Sequence, residues 1–323
     1  MTAPAATAPA TMRDAFIEGV YQRMAFDDSI FFLSADFGAP RLDDLRGRFP
    51  GRFINVGIAE QNLISVAAGL ALEGYTVYTY AIASFGSMRA YEQIRVDLSL
   101  MAQLRPKLNV NMLSVGAGLS YDVSGPTHHC FEDIGLMRML PHMTVLSPSD
   151  PVLAGKMLAY TLDHPTPKYL RFDGKPLPNI YRADEAVDIA AGFHRFHEGR
   201  DVCVVATGYM THKALRLKDA LAKEGLDIGV IDCFLLKPFD EAALAKALSS
   251  YSHIVTLEEA FVGKGGLDGM ILSLIHQHGL KARLRAFGFE DRYIFEIGDR
   301  ETLHDACGVG FEELSRVVSG LAR

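Results

Sequence analysis

The stretch FINVGIAEQNLISVAAGLALEG, residues 53–74, contains the transition that decides the fold. It begins as an apolar, strand-like run, and residues 60–72 then have apolar side chains at helical spacing. Glu60 falls in the first turn of this predicted helix, where a carboxylate gains about 0.3–1 kcal/mol from the helix dipole. Ala67 and Ala68 are small and allow close packing, so we expect Glu60 to lie in a confined place rather than on an open surface.

Similar alternation continues along the whole chain. Predicted strands cover residues 30–34, 76–81, 108–115, 143–148, 168–172, 201–208, 226–233, 252–259 and 283–289, and further predicted helices cover residues 87–101, 211–224 and 240–248. Short buried strands that alternate with helices are typical of parallel sheets covered by helices on both faces. The predicted fold class is therefore α/β, with two doubly wound α/β domains.

The composition changes once, in the segment DGKPLPNIYRADEAVD, residues 173–188. Its two prolines and many polar residues predict a linker. We therefore divide the chain into a disordered tail (1–11), a first domain (12–175), a linker (176–192) and a second domain (193–323). Each domain is long enough to bury a core of its own.

The bulk composition excludes several classes of protein. The net charge is −7, whereas a surface for nucleic acids or anionic membranes needs an excess of Lys and Arg. No apolar run approaches the roughly 20 residues that cross a bilayer. The four cysteines are widely spaced, as in proteins of a reducing compartment, and the first residues lack the pattern of a signal peptide. We expect a cytoplasmic protein that binds neither nucleic acid nor membrane.

Two further segments are candidates for chemistry, because ligands collect at the carboxyl ends of parallel strands. The first is YAIASFGSMRAYEQIR, residues 80–95, and the second is GAGLSYDVSGPTHH, residues 116–129. Paired histidines in a Gly/Pro loop after a strand favour a role in catalysis or binding. By contrast, GKGGLDG, residues 263–269, lacks the spacing of a nucleotide-binding loop and predicts a tight turn into a helix.

Four motifs in this order give the chain a specific resemblance. They are GIAEQN, FxxxRAYEQIR, GPTHH and LPHMTVLSPSD, and together they resemble the carboxyl-terminal half of transketolase, from about residue 12 onward. GIAEQN marks the pyrimidine-binding domain of thiamine-diphosphate enzymes. The later segments VIDCFLLKPFD and TLEEAFVGKGG resemble the carboxyl-terminal domain of the same family.

The resemblance implies roles for residues around the cofactor. Glu60 would hydrogen-bond N1′ of the aminopyrimidine ring and so activate the cofactor for attack on a ketose carbonyl. Phe85 would pack against that ring, since an aromatic face suits a flat heterocycle. Asp36, Ile82 and Arg89 match positions near the cofactor.

It also implies residues that contact the substrate. His128 would be catalytic together with Glu60, contacting the reacting oxygens and helping to move protons. Arg171 would bind a substrate phosphate and Arg138 would join it, since guanidinium groups bind phosphate in a bidentate manner. His129 and Ser124 complete the predicted substrate contacts.

Five positions depart from the family pattern and bear on the substrate. His129 stands where the family usually has Gln, Ser124 where many members have Asp, and Gly116 where a substrate-contacting His is common. Ile82 and Met88 replace aromatic residues near the ring. These departures leave a modified sugar, an unphosphorylated ketose or a specialised biosynthetic acceptor open as the substrate.

One element of the family is missing from this sequence. Transketolases hold the diphosphate through a metal with GDG followed some 25–30 residues later by Asn, and the chain has no convincing match. We therefore predict no metal ligand in this chain. Thiamine diphosphate would be shared with a separate amino-terminal subunit that supplies the diphosphate site and the Mg²⁺ ligands, in an α₂β₂ heterotetramer acting on ketose and aldose substrates.

Three alternatives remain at this point. The chain could resemble a 1-deoxyxylulose-5-phosphate synthase or the β subunit of a 2-oxo-acid dehydrogenase, although FxxxRAYEQIR and GPTHH suit transketolase better than the dehydrogenase. It could also be a non-catalytic binding or regulatory subunit that keeps only the fold. The intact set of Glu60, Phe85 and His128 argues against this last interpretation.

Overall fold

A computed structural model describes residues 10–323 of the chain. The predicted tail, residues 1–11, therefore lies outside the described residues except for its last two. Ala10 forms an isolated β-bridge with Leu177, and the Leu177 N–H donates to the Ala10 carbonyl at 3.2 Å. Thr11 begins the first helix, because its hydroxyl accepts a hydrogen bond from Asp14 N at 3.0 Å.

The first domain contains six strands and seven α-helices. The strands are β1 Ile30–Ser34, β2 Phe53–Asn55, β3 Thr76–Ile82, β4 Val110–Val115, β5 Thr144–Leu146 and β6 Lys168–Phe172. The helices are α1 Met12–Met24, α2 Pro40–Arg48, α3 Glu60–Leu72, α4 Tyr91–Gln93, α5 Met101–Leu104, α6 Asp133–Met139 and α7 Pro151–Asp163. The predicted helix at 87–101 belongs to a longer helical segment, in which the π-helical turns Phe85–Arg89 and Ile94–Leu100 flank α4.

The second domain follows the same principle. Its strands are β7 Phe193–His197, β8 Val202–Ala206, β9 Gly229–Cys233, β10 Leu235–Lys237, β11 His253–Phe261 and β12 Arg283–Phe289. Its helices are α8 Tyr209–Lys223, α9 Glu241–Leu248, α10 Leu267–Gln277, α11 Arg300–Ala306 and α12 Phe311–Leu321. The glycine-rich segment 263–269 forms the predicted turn into α10.

Both sheets are mainly parallel, which confirms the predicted α/β fold class. The first sheet has the order β10-β5-β6-β4-β3-β1-β2, and only its edge strand β10 is antiparallel to its neighbour. The second has the order β12-β11-β8-β9-β7, with β7 antiparallel at the edge. Buried apolar side chains cover both faces of the first sheet, with Phe32 and Tyr78 packed toward one layer and Leu33 and Val77 toward the other.

The two domains are joined by more than the linker. The chain leaves the second sheet at the end of β9 and immediately enters the first sheet as β10, which pairs with β5. Between them, the buried carboxylate of Asp232 accepts hydrogen bonds from Ser149, Tyr181 and Thr211 at 2.5, 2.8 and 2.7 Å. Burial raises the pKa of Asp232 to about 6, and these three hydrogen bonds act against that rise. One side chain thus ties the first domain, the linker and the second domain together.

Candidate active site

The order of strands in the first sheet locates a crevice at its carboxyl edge. In the sheet, β1 lies between β3 and β2. The chain passes from β1 to β2 on one side and then returns to β3 on the other side, so the direction of the connections reverses at β1. Such a reversal opens a crevice where ligands bind in parallel α/β sheets. Asp36, Glu60 and Phe85 follow β1, β2 and β3, and therefore all stand at this edge.

Glu60 is placed by the tight connection from β2 to α3. Gly57 adopts a φ of 77°, and its N–H donates to the Asn55 side-chain oxygen at 2.9 Å. No side chain caps the helix at Ala59, so the Glu60 carboxylate is the acid of its first turn. Glu60 is only 4% exposed, which confirms the predicted confined position.

Arg89 joins Glu60 to Phe85. Its guanidinium nitrogen lies 2.8 Å from Glu60 Oε2, and its guanidinium carbon lies 4.8 Å from the centre of the Phe85 ring. Both Phe85 and Arg89 belong to a π-helical turn, a wide turn that is frequent at functional sites. A carboxylate, a flat cation and an aromatic ring are thus in direct contact at the strand edge.

His128 reaches the same place from the loop that follows β4. The loop is closed at its base by two hydrogen bonds of 3.0 Å between Gly118 and Cys130. Gly125, with a φ of 77°, turns the chain so that His128 N donates to its carbonyl at 3.0 Å. The His128 imidazole then meets the Phe85 ring edge-on, with 5.2 Å between ring centres. Four predicted site residues, Glu60, Arg89, Phe85 and His128, are therefore brought together.

Asp36 and Ile82 lie beside this group. Asp36 is exposed, has a φ of 56° and accepts a hydrogen bond of 2.8 Å from Asn55. Asp36 and Asn55 also line an open cavity of about 420 Å³ at the ends of β1 and β2. Ile82 is the last residue of β3 and is partly exposed.

His129 and Ser124 have different surroundings from His128. His129 is 3% exposed and packs against Phe131, with 5.5 Å between ring centres. Its Nε2 lies 3.5 Å from the Asp122 carbonyl, and its Nδ1 has no hydrogen-bond partner within the described part of the chain. Burial lowers the pKa of His129 and so favours the neutral form of the ring. Ser124 is exposed on a 3₁₀ turn of the same loop.

The two predicted phosphate-binding arginines lie in the interface between the domains. Arg171 is 3% exposed, and its donors reach Asp133 at 2.8 Å and the Glu259 carbonyl at 2.9 Å. Arg138 donates to the carbonyls of Gly265 and Gly266 at 2.5 and 2.7 Å. Protein groups thus take part of the donors of both arginines, whereas the buried Nε of Arg138 has no partner within the described residues, and their contact with a substrate phosphate stays a prediction.

Three residues around the histidine loop were missed by the sequence reasoning. A Cβ on Gly116 would overlap the ring of Tyr121, so Tyr121 fills the space beside Gly116. Burial raises the pKa of Tyr121 to about 12, which keeps its hydroxyl neutral. The buried carboxylate of Asp122 is paired with Lys175, just beyond β6. Their only sequence signal was proximity to strand ends.

Two family models match the chain with this architecture. The transketolase pyrimidine-binding domain matches residues 8–178, and the transketolase C-terminal domain matches residues 193–314. The chain belongs to the transketolase family. The domain boundaries proposed from composition lie close to these matches and stay a prediction in their details.

Known relatives of similar length are about 30% identical to this chain. One of the subunits of an apulose-4-phosphate transketolase from Actinobacillus succinogenes is 30% identical, over 82% of this chain and 83% of the relative. A 6-deoxy-6-sulfo-D-fructose transketolase subunit from Clostridium sp. is 31% identical, over 94% and 92%. A solved split-gene transketolase, described as an inactive β4 tetramer, is 30% identical with a TM-score of 0.83, over 98% of this chain and 100% of that one.

The described part of this transketolase-family chain contains neither a cluster of metal ligands nor a membrane-spanning helix. Among residues 10–323, no group of three or more His, Cys, Asp or Glu side chains is arranged to hold a metal ion. Within the same range, no helix combines the length and apolar character needed to cross a bilayer.

Proposed function

We propose that this chain is the carboxyl-terminal subunit of a split, thiamine-diphosphate-dependent transketolase. It would transfer a two-carbon ketol unit from a ketose, phosphorylated or modified, to an aldose acceptor. The contact of Glu60, Arg89, Phe85 and His128 at the topological switch point carries this proposal. A carboxylate, an aromatic face and an imidazole are the groups that such a transfer requires from this half of the site.

The residues fit the aminopyrimidine part of the cofactor. The flat, nitrogen-rich guanidinium of Arg89 already lies between the Glu60 carboxylate and the Phe85 ring, at 2.8 Å and 4.8 Å. A flat heterocycle with ring nitrogens has the same needs: a carboxylate at its edge and an aromatic face beside it. Arg89 is 47% exposed and its side chain can move outward to make room.

When bound, thiamine diphosphate supplies the carbanion chemistry, and the protein supplies orientation and proton positions. Glu60 would hold a ring nitrogen of the pyrimidine by a hydrogen bond and keep water away from it. Phe85 would fix the plane of the ring. His128, edge-on to Phe85 and partly exposed, would meet substrate oxygens and hold or release a proton there.

We further propose that the diphosphate and Mg²⁺ ligands come from an amino-terminal subunit in an α₂β₂ heterotetramer. The apolar side chains of Ile58, Met88 and Val123 are 77%, 36% and 86% exposed next to the site residues. Exposed apolar side chains around a site that lacks its diphosphate-binding residues favour an interface with a second subunit. The four free thiols, three of them buried, are ordinary for a protein of the reducing cytoplasm, which we propose as its location.

The test is reconstitution with an amino-terminal transketolase subunit that carries the GDG…Asn motif, followed by an assay of ketol transfer with thiamine diphosphate and Mg²⁺. Glu60→Gln should lower kcat by at least about 100-fold, because the amide cannot replace the carboxylate in proton exchange. Glu92→Gln, which changes an exposed glutamate paired with Arg95, is the matched control and should leave kcat unchanged.

Two outcomes would contradict the proposal. Near-normal turnover of Glu60→Gln would remove Glu60 from the reaction. If the reconstituted complex neither binds thiamine diphosphate by calorimetry nor transfers a ketol unit, a non-catalytic binding or regulatory subunit becomes the better interpretation.

A further inference from the structure

The second domain has a switch point of its own, between β8 and β11. In an open α/β sheet this is where a ligand would bind. Here the first domain occupies it: Arg171 donates to the carbonyl of Glu259, on β11, at 2.9 Å. The carboxyl edge of the second sheet therefore binds the first domain rather than lying open.

The Glu259 side chain extends this contact to the histidine loop. Its Oε2 accepts a hydrogen bond from Leu119 N in that loop at 3.3 Å. Its Oε1 lies 2.7 Å from both Arg300 Nε and His304 Nε2, and Arg300 Nη2 holds Oε2. Burial alone would raise the pKa of Glu259, but Arg300 and His304 outweigh it and hold the pKa well below its usual range. Glu259 therefore accepts the hydrogen bond from Leu119 N as an ionised carboxylate, and Arg300 and His304 hold that carboxylate in place.

Gly118 shows how close this approach is. It has a φ of 56°, and a Cβ at this position would overlap the Glu259 carboxylate. Gly118 also closes the base of the loop through its pair with Cys130. The start of the loop that carries His128 thus rests directly on a side chain of the second domain.

A second connection reaches the middle of the loop. Arg300 Nη1 lies 2.6 Å from Asp173 Oδ2, and Asp173 Oδ1 accepts from Lys175 N at 2.8 Å. The ammonium of Lys175 then pairs with Asp122, on the 3₁₀ turn of the loop. Glu259, Arg300 and Asp173 are at most 5% exposed, so solvent does not screen the contacts among these three side chains.

We propose that Glu259 and Arg300 are positioning residues, through which the second domain fixes the loop of residues 116–129 and thereby the place of His128. The inference rests on the proposed function only because that function assigns His128 a substrate to contact. Its structural part, the fixing of the loop, holds for the chain by itself. The second domain then acts on the active site without contributing a group that touches substrate.

The experiment uses two variants of the full chain. Gly118→Ala pushes the loop away from Glu259 and leaves every charge in place. Arg300→Lys keeps the charge but cannot bridge Glu259 and Asp173, because an ammonium lacks the planar fork of a guanidinium. Matched controls are Gly279→Ala, at a φ of 63° in open space, and Arg316→Lys, in an exposed pair with Glu313.

Amide hydrogen exchange is the first measurement. In both variants, exchange over residues 116–129 should become at least about tenfold faster, while exchange in β3 and α3 stays unchanged. The controls should leave the loop unchanged. Exchange that is unaltered in the loop of both variants would overturn the proposal, whatever their thermal stability. This measurement needs neither partner nor substrate, so it stands even if the proposed activity fails.

Kinetics of the reconstituted enzyme are the second measurement. With His128 displaced, the KM for the ketose donor should rise about tenfold, whereas the Kd for thiamine diphosphate should stay within about twofold. A purely structural role would lower the amount of folded enzyme and change neither constant. Unchanged KM in both variants, despite a loosened loop, would show that the second domain does not set the place of His128.

Discussion

At the scale of single residues, Arg171 is predicted from the sequence to contact a substrate phosphate, whereas the structure buries it beside Asp133. Its nitrogen lies 2.8 Å from Asp133 Oδ2, and the two side chains are 3% and 0% exposed. The resemblance to transketolase implies that Arg171, near the end of β6, contacts a substrate phosphate. The buried pair with Asp133 gives Arg171 a part in the stability of the fold, and its contact with a substrate phosphate stays a prediction.

Arg171→Met should therefore destabilise the protein by about 3–5 kcal/mol, because it leaves the Asp133 carboxylate buried without its cation. Thermal unfolding monitored by circular dichroism measures this loss. Any folded enzyme that remains should keep the ratio of kcat/KM for phosphorylated and plain substrates. A stable variant with a selective loss of activity on phosphorylated substrates would restore Arg171 to the substrate site.

His129 gives a prediction that depends on pH. Burial lowers the pKa of its imidazole below the value of about 6.5 expected in the unfolded chain. As the pH falls below about 6.5, the unfolded state takes up the proton first, so the native state loses stability from this group. His129→Gln should remove that contribution.

The stability difference between pH 7.5 and pH 5.5 should thus be smaller for His129→Gln than for the wild type, as measured by urea unfolding at both pH values. His278→Gln changes an exposed histidine and is the control, which should follow the wild type. If His129→Gln and the wild type lose equal stability, the ring is not held neutral by burial.

At the scale of elements, the loop after β4 depends on a glycine that makes room for an aromatic ring. Gly116 has a φ of 109°, and a Cβ there would overlap the Tyr121 ring. The same ring also lies close to Gly174, two residues beyond β6. The family position at which a histidine is common is therefore filled by the side chain of another residue.

Gly116→Ala should lower the free energy of unfolding through both backbone strain and this overlap. Tyr121→Ala removes the overlap alone, so the two changes together should show a coupling energy of about 1–3 kcal/mol in a double-mutant cycle. Gly74→Ala, at a φ of 92° with nothing within 4 Å, gives the strain without the overlap. Purely additive changes would mean that Tyr121 moves aside at no cost.

At the scale of the whole molecule, the proposed assembly gives the remaining prediction. Ile58 is 77% exposed on the connection that leads to Glu60, whereas Ile297 is 96% exposed in the second domain. If the amino-terminal subunit covers the site, Ile58→Ser should raise the concentration of that subunit needed for half-maximal activity about tenfold, equal to about 1.4 kcal/mol. The kcat at saturation should stay within about twofold.

Ile297→Ser is the matched control for this titration, and it should leave the half-maximal concentration unchanged. An unchanged value for Ile58→Ser would place the interface elsewhere. Full activity of this chain without any second subunit would reject the assembly itself.

The sequence by itself determined the α/β class and most strands of both sheets. It also placed Glu60 at the start of a helix and Phe85 and His128 at strand ends. These features follow from local periodicity, and parallel strands bring their carboxyl ends to one edge of a sheet. At this edge the structure brings the Phe85 and His128 rings to 5.2 Å from each other.

Only the tertiary structure decided how the second domain takes part. The crossing from β9 to β10, the burial of Arg171 and the contact of Arg300 with Asp173 join residues far apart in sequence, the last pair by 127 positions. Such pairs leave no mark on local periodicity, and a lone charged residue reads the same in sequence whether it faces solvent or a buried partner. Burial between the two domains pairs Arg171 with Asp133 and Arg300 with Asp173, and the second pair supports the proposed positioning of the loop of residues 116–129.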